Sequence, residues 1–188
     1  MPNLYIIAGC NGAGKTTASM TILPEILDCQ EFVNADEIAR GLSPFHPEKV
    51  AFEAGRIMLN RMNYLLEKGE DFAFETTLSA RSFVSFIKKA KEQGYKITLV
   101  FVWLESVELA KQRVAERVKR GGHNIEADVI ERRYKAGLKN LNELYIPICD
   151  DWMVFDNSKI LKVIAQGNFN ISIEIYNSKI WDIINENS

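Results

Sequence analysis

The sequence predicts an α/β protein in which a parallel, five-stranded sheet lies between helices. Three observations carry that expectation. Strand-like and helix-like patterns alternate along the chain with short connections. The run LYIIAG (4–9) is apolar almost throughout, as a central strand buried on both faces requires. Directly behind it, GCNGAGKTT (9–17) reads Gly-x-x-x-x-Gly-Lys-Thr, the spacing of a phosphate-binding loop between a strand and a helix.

Each element has its own signature. After the loop, KTTASMTILPEIL begins as a helix, and Pro24 marks its end. EFVNAD (31–36) is a second, short strand. From Pro47 to Lys68, the residues Val50, Ala54, Ile57, Arg61/Met62 and Leu65 recur at helical spacing, and Gly69 stops the helix. DFAFETT (71–77) is a third strand, and SARSFVSFIKKAKEQG a helix with a Ser cap and a Gly stop. YKITLVFVWL (95–104) is the longest β-type run. A basic helix (106–120), the hinge-like pair Gly121-Gly122 and a helix from about Glu126 to Leu144 follow. WMVFD (152–156) is the fifth strand. Beyond Asn157 the pattern becomes a C-terminal hairpin around QGNFN and a closing helix in NSKIWDIINEN. No repeat or Pro/Ser linker interrupts the order, so residues 1–188 are expected to form one domain.

The 188 residues are 47% apolar and 26% charged, the ordinary composition of a globular chain with a real core. A net charge of -2 gives no global reason to bind nucleic acid or a membrane. No signal peptide opens the sequence, and no apolar run approaches membrane-spanning length. Cys10, Cys29 and Cys149 are odd in number, lack metal-ligand spacing, and read as free thiols in a reducing compartment. The expected location is the cytoplasm.

The chemistry starts in the loop. Backbone amides of Gly9, Asn11, Gly12, Ala13, Gly14, Lys15, Thr16 and Thr17 are expected around the phosphates of a nucleotide. The Lys15 ammonium, read as exposed, reaches the β/γ oxygens, Thr16 ligates Mg2+, and the helix N-terminus faces the anion. Asp36 lies at the carboxyl end of the second strand, the edge where open α/β sheets bind ligands. It can take a proton from a substrate hydroxyl or hold the metal through water, or it can simply cap the helix EIARGL. Glu75 ends the third strand on the same edge, followed by Thr76, Thr77 and Ser79. These suit a polar acceptor, or else the start of a helix. Glu105 reads as the cap of the next helix.

Arg113, Arg117 and Arg120 share one helix face, and Arg132 and Arg133 follow Gly121-Gly122-His123. Residues 111–135 hold eight Lys/Arg against four Asp/Glu. This is either a solvated face or a lid, at about 113–135, whose arginines close over a transferring phosphoryl group. His123 is a contact to substrate or phosphate, or a structural side chain. Phe72, Phe74, Phe83, Phe86, Phe101 and Trp103 read as core, and Lys88-Lys89-Lys91 as a solvated face.

With these pieces assembled, the chain resembles the zeta-toxin family of P-loop kinases, particularly its short stand-alone bacterial members. The matching stretches are AGCNGAGKTT, VNADEIARGL, FAFETTLSARS, RVAERVKRGGHNI, ERRYKAGLKNL and DNS near 156–158. They are in family order over roughly residues 3 to 165. The resemblance implies a P-loop NTPase fold with a nucleotide-kinase-like sheet. It implies ATP- or GTP-dependent phosphorylation of a hydroxyl on a nucleotide sugar such as UDP-N-acetylglucosamine. Asp36 falls at the catalytic base, Glu75 and Thr77 near the substrate with Arg120 beside them, Lys15 and Thr16 in the loop, and Arg117 and Arg133 among the phosphate-clamping arginines. An antitoxin-like protein is an implied partner. The chain departs from the family in Cys10, where Pro is frequent, in Glu126, where Pro commonly follows, and in being shorter.

Two competing functions remain. A switch or mechanical NTPase would act through a protein partner, but no apolar strand ends in an Asp-Glu pair, and the hydroxyl-rich ETTLS suits a second substrate better than water. A module that holds nucleotide without turnover would require Asp36 to be purely structural.

Overall fold

All five expected strands form: β1 (Asn3–Gly9), β2 (Phe32–Val33), β3 (Phe72–Thr76), β4 (Lys96–Trp103) and β5 (Asp151–Asp156). The structure is a computed structural model that describes residues 1–122, 124–168 and 173–186. The five strands pair in parallel in the order β2-β3-β1-β4-β5. The hairpin strands β6 (Lys162–Asn168) and β7 (Ile173–Ile175) add antiparallel to β5, giving a seven-stranded sheet among the described residues. The hairpin therefore continues the sheet; its turn lies outside the described residues.

Strand β1 explains its own composition. Leu4, Ile6 and Ala8 enter the core on one face, and Tyr5 and Ile7 enter a second cluster on the other. With both faces covered, period-2 alternation of polarity has no place. Helix α1 (Lys15–Glu25) packs on the Tyr5/Ile7 face through Leu23, and reaches one residue past Pro24. Helix α2 (Ala35–Leu42) follows β2, and a 3-10 turn (Pro47–Val50) leads into α3 (Ala51–Lys68). Helices α3 and α4 (Ser82–Glu92) cover the opposite face with Met58, Met62, Leu65 and Ile87. Ile57, expected on the buried stripe of α3, is instead exposed, and Met58 takes the core position one residue later. Gly69 ends α3 at φ 69, as expected.

Helix α5 (Val107–Lys119) buries Ala110 and Val114 beside Val102 and the phosphate loop. Helix α6 (Ala127–Asn140) joins two core clusters: Ile130 packs with α5, Leu138 with the α3/α4 layer, and Tyr134 touches both. The expected single helix to Leu144 changes at its end into a π turn (Leu141–Tyr145) and a 3-10 turn (Ile146–Ile148). Helix α7 (Ser178–Glu186) closes the chain with Trp181 stacked on Trp152 at 5.3 Å.

Three local expectations are corrected. Ser106, not Glu105, caps α5, its side chain accepting from the Leu109 amide. No side chain caps α4, whose N-cap position is Arg81. Lys91 is not merely solvated: its ammonium donates to the Ile148 carbonyl and to Asp150, tying α4 to the start of β5. The three thiols are free and buried. No helix among the described residues is long and apolar enough to cross a membrane.

Candidate active site

The phosphate loop bridges β1 and α1 in a shape that only particular residues allow. Gly9 has φ 141, and a Cβ there would overlap the Val102 carbonyl oxygen. Gly14 has φ 85, and a Cβ there would meet the Asn157 side-chain nitrogen at 2.6 Å. That same nitrogen donates to the Ala13 carbonyl at 2.8 Å. The loop is thus braced from the end of β5, and no side chain caps the N-terminus of α1, which leaves its first amides for an anion. Cys10 is buried in the loop; burial pushes its thiol up to about 11, against the opposing pull of Lys15. The side chain of Thr17 is exposed.

Lys15 is not exposed as expected; it retains 6% accessibility. Its ammonium donates to the Cys10 carbonyl at 3.0 Å and faces the Glu75 carboxylate at 3.4 Å. Thr16 donates to the other Glu75 oxygen at 2.7 Å. The Glu75 side chain is 11% accessible, and β3 lies next to β1, with Ile7 opposite Glu75 in the register. A carboxylate at that register stands directly beside the loop.

Asn34 was not expected here and organises the acids. Its side-chain oxygen accepts from the amides of Asp36 and Glu37, so Asn34 is the cap of α2. Its side-chain nitrogen donates to Glu75 at 2.9 Å. Asp36 is thereby relieved of capping. Its carboxylate is exposed, and no hydrogen bond or ion pair among the described residues engages it. The signal for Asn34 was present in VNADEI, since Asn is as good a cap as Asp.

Beyond the acids opens a cleft of about 810 Å³ between α3 and α4. Its floor holds Asn11, Lys15, Asp36, Glu75 and Arg133; its walls include Met58, Leu59, Phe83 and Phe86. Phe83 and Phe86, expected as core, thus also face this space. Thr77 and Ser79 line it too, their hydroxyls 2.8 Å apart. Between them, Leu78 is fully buried with φ 55, a conformation that costs a non-glycine residue about 1–3 kcal/mol.

The basic helices divide by role. Arg113 is structural: it donates to the Ser158 carbonyl at 2.9 Å. Arg117 lines a small pocket with Thr16 and Asp36. Arg133 reaches the loop from α6, donating to the Asn11 side chain at 3.2 Å. Arg120 and Arg132 are exposed, and neither lines the cleft. Gly121-Gly122 proves to be a helix stop. Gly121 has φ 84 and donates to the Val118 carbonyl, while Gly122 donates to that of Arg117, the Schellman pattern. A Cβ at Gly122 would lie 2.5 Å from the Arg117 stem. His123 lies outside the described residues.

Asn157 and Ser158, within the stretch DNS, have structural roles that the sequence alone does not disclose. Asp156 accepts from the Ser158 amide and hydroxyl, and the Ser158 hydroxyl accepts from the Glu105 amide.

A family model described as Zeta toxin matches residues 1–168. An uncharacterized protein of Haemophilus influenzae is 32% identical over 126 residues, 67% of this chain and 88% of that protein. Among solved structures, the AvrRxo1-ORF1:AvrRxo1-ORF2 crystals superpose with a TM-score of 0.80 with sulphate ions and 0.78 with ATP. The identity is 18%, and the match covers 98% of this chain but only 63% of that one. A structure of the PezAT chromosomal toxin-antitoxin system of Streptococcus pneumoniae matches at TM-score 0.64 and 14% identity, covering 100% of this chain and 86% of that one. With an α/β P-loop fold and a family model covering most of its length, the chain belongs to the zeta toxin family.

Proposed function

We propose that this protein transfers the γ-phosphate of ATP or GTP to a hydroxyl of a small acceptor held in the cleft between α3 and α4. One observation carries the reading: the phosphate loop and an unengaged carboxylate, Asp36, meet at the floor of a large, partly aromatic cleft. In this reading the loop amides and Lys15 bind the β- and γ-phosphates. Asp36 accepts the proton of the acceptor hydroxyl, and Arg117 and Arg133 neutralise charge that spreads over the moving phosphoryl oxygens. Thr77 and Ser79 orient the acceptor; Arg120, exposed at the end of α5, does not line the cleft and would reach the acceptor only from outside it. Residues 113–135 serve as the lid that keeps water out.

Magnesium fits the donor set, because the Thr16 hydroxyl and the Glu75 carboxylate, 2.7 Å apart, are hard oxygen ligands beside the loop. Bound there, it would offset the charge of the β- and γ-phosphates. Glu75 is thus read as a metal-side residue as much as an acceptor contact.

The aromatic walls and polar floor suit an acceptor with a planar, apolar part and several hydroxyls, and a nucleotide sugar such as UDP-N-acetylglucosamine has that form. An antitoxin-like protein is the proposed partner, after the PezAT system, and the cytoplasm the proposed site of action. The test is transfer from γ-labelled ATP and GTP to a panel of nucleotide sugars and nucleosides, read by mass spectrometry. A labelled acceptor supports the reading. Hydrolysis to free phosphate alone, stimulated by a protein partner, would replace it with the switch NTPase.

A further inference from the structure

Arg133, Gly137 and Asn140 stand at i, i+4 and i+7 on α6, a single stripe of its surface about 10 Å long. One end of the stripe touches the phosphate loop, where Arg133 donates to Asn11. The other end holds residues 76–80 from behind. Asn140, 5% accessible, donates to the Leu78 carbonyl at 2.7 Å. Gly137 lies so close that a Cβ on it would sit 2.6 Å from the Thr77 carbonyl oxygen. Just beyond the helix, Tyr145 donates to the Ala80 carbonyl at 2.5 Å. The amide of Leu78 is taken by the Thr76 hydroxyl.

Leu78 has a left-handed backbone that leucine does not adopt unless its surroundings impose it. Its surroundings are these bonds. On the opposite side of the same loop, the Thr77 and Ser79 hydroxyls face the cleft. Whatever shifts α6 must therefore shift those hydroxyls, and the group best placed to shift α6 is Arg133.

We propose that α6 couples the nucleotide site to the acceptor site, with Asn140 as the positioning residue that sets Thr77 and Ser79 for the acceptor. The inference rests on the kinase reading for the roles of the two sites. Nucleotide drawing on Arg133 fixes the stripe, and Gly137 and Asn140 pass that constraint to the loop. By linkage, an acceptor on the loop tightens nucleotide by the same factor.

Hydrogen exchange tests the coupling without knowledge of the acceptor. Adding the non-hydrolysable analogue adenylyl imidodiphosphate with magnesium to the wild type is expected to slow exchange at residues 77–80 about tenfold or more. In Asn140→Ala that slowing is lost while analogue Kd stays within about threefold of wild type. Gly137→Ala is the second variant, because alanine favours the helix yet pushes on Thr77; it is expected to lose the slowing with little change in analogue Kd. An analogue that binds without slowing the loop, or slowing that survives in both variants, would overturn the coupling alone. No analogue binding at all would overturn the kinase reading, and the coupling with it.

Discussion

The hydroxyl of Thr16 in the first turn of α1 donates a 2.7 Å hydrogen bond to the Glu75 carboxylate at the end of β3. The second oxygen of the same carboxylate faces the Lys15 ammonium. One acid thus occupies both side chains that a triphosphate would use. In Glu75→Gln, ATP without magnesium should bind more tightly, since one negative charge beside the phosphates is gone. With magnesium the affinity should instead fall below wild type by about tenfold, as when a ligand's support is removed. Calorimetric titrations with and without the metal decide this, and identical behaviour of variant and wild type would exclude Glu75 from the metal's surroundings.

Lys15→Ala should abolish transfer while the protein stays folded. Asn34 and Thr16 still hydrogen-bond Glu75 when the ammonium is gone, so the acid is not left without partners. Circular dichroism and turnover suffice, and near-wild-type turnover in a folded variant would separate the loop from catalysis.

Capping and catalysis are separable at the start of α2. Asn34→Ala removes the cap and should cost about 1 kcal/mol of stability. Asp36→Asn leaves the cap in place, so stability should hold, while turnover falls about a hundredfold or more if Asp36 is the base. Denaturation curves and kcat for both variants make the comparison; unchanged kcat in Asp36→Asn would pass the role to Glu75.

For the arginines, Arg117→Ala and Arg133→Ala should lower kcat by roughly a thousandfold with much smaller effects on nucleotide Kd. Arg132, exposed on α6, is the control and should change kcat little. Equal, small effects in all three would make the basic stretch a solvated face.

Burial pushes the Cys149 thiol up to about 12 and the Cys10 and Cys29 thiols up to about 11. A raised thiol pKa means that the folded chain holds the proton more firmly than the unfolded chain, where it leaves near about 8.5. This stabilisation is complete below that value and is lost as pH rises toward the folded pKa values. Between about pH 7 and about pH 10.5, wild type should lose about 3 kcal/mol more stability than Cys149→Ala. Equal losses of unfolding free energy in wild type and variant, from urea denaturation at the two pH values, would show that this thiol ionises freely.

What the sequence revealed depended on how local the cause was. The β1–loop–α1 unit was legible apart from the burial of Lys15, because glycine positions, lysine and threonine at fixed offsets share one short stretch. The five strands were legible from apolar runs, and α3 was placed correctly though its buried stripe was misjudged by one residue at Ile57. The cap of α2 was misjudged because Asn34 and Asp36 are equally good caps, and only the backbone shows which amides are reached. The helix stop at Gly121-Gly122 was not legible, because a glycine pair carries no sign of the hydrogen bonds that end α5 there. Asn157, Asn140 and Tyr145 were invisible in their roles: each meets its partner across more than sixty residues, where no periodicity reports on it.

The bond from Asn157 to Ala13 spans 144 positions. Ribosomes deliver the phosphate loop 144 residues before its brace. Until β5 is made, the Ala13 carbonyl has no partner and nothing walls the left-handed turn at Gly14. β1 itself must wait for β3 and β4, its neighbours on either side. A nascent chain therefore exposes the loop sequence well before the loop's brace exists. On the kinase reading, chains truncated before residue 157 should bind nucleotide more weakly than the full chain even with every loop residue present, because the loop has lost its brace.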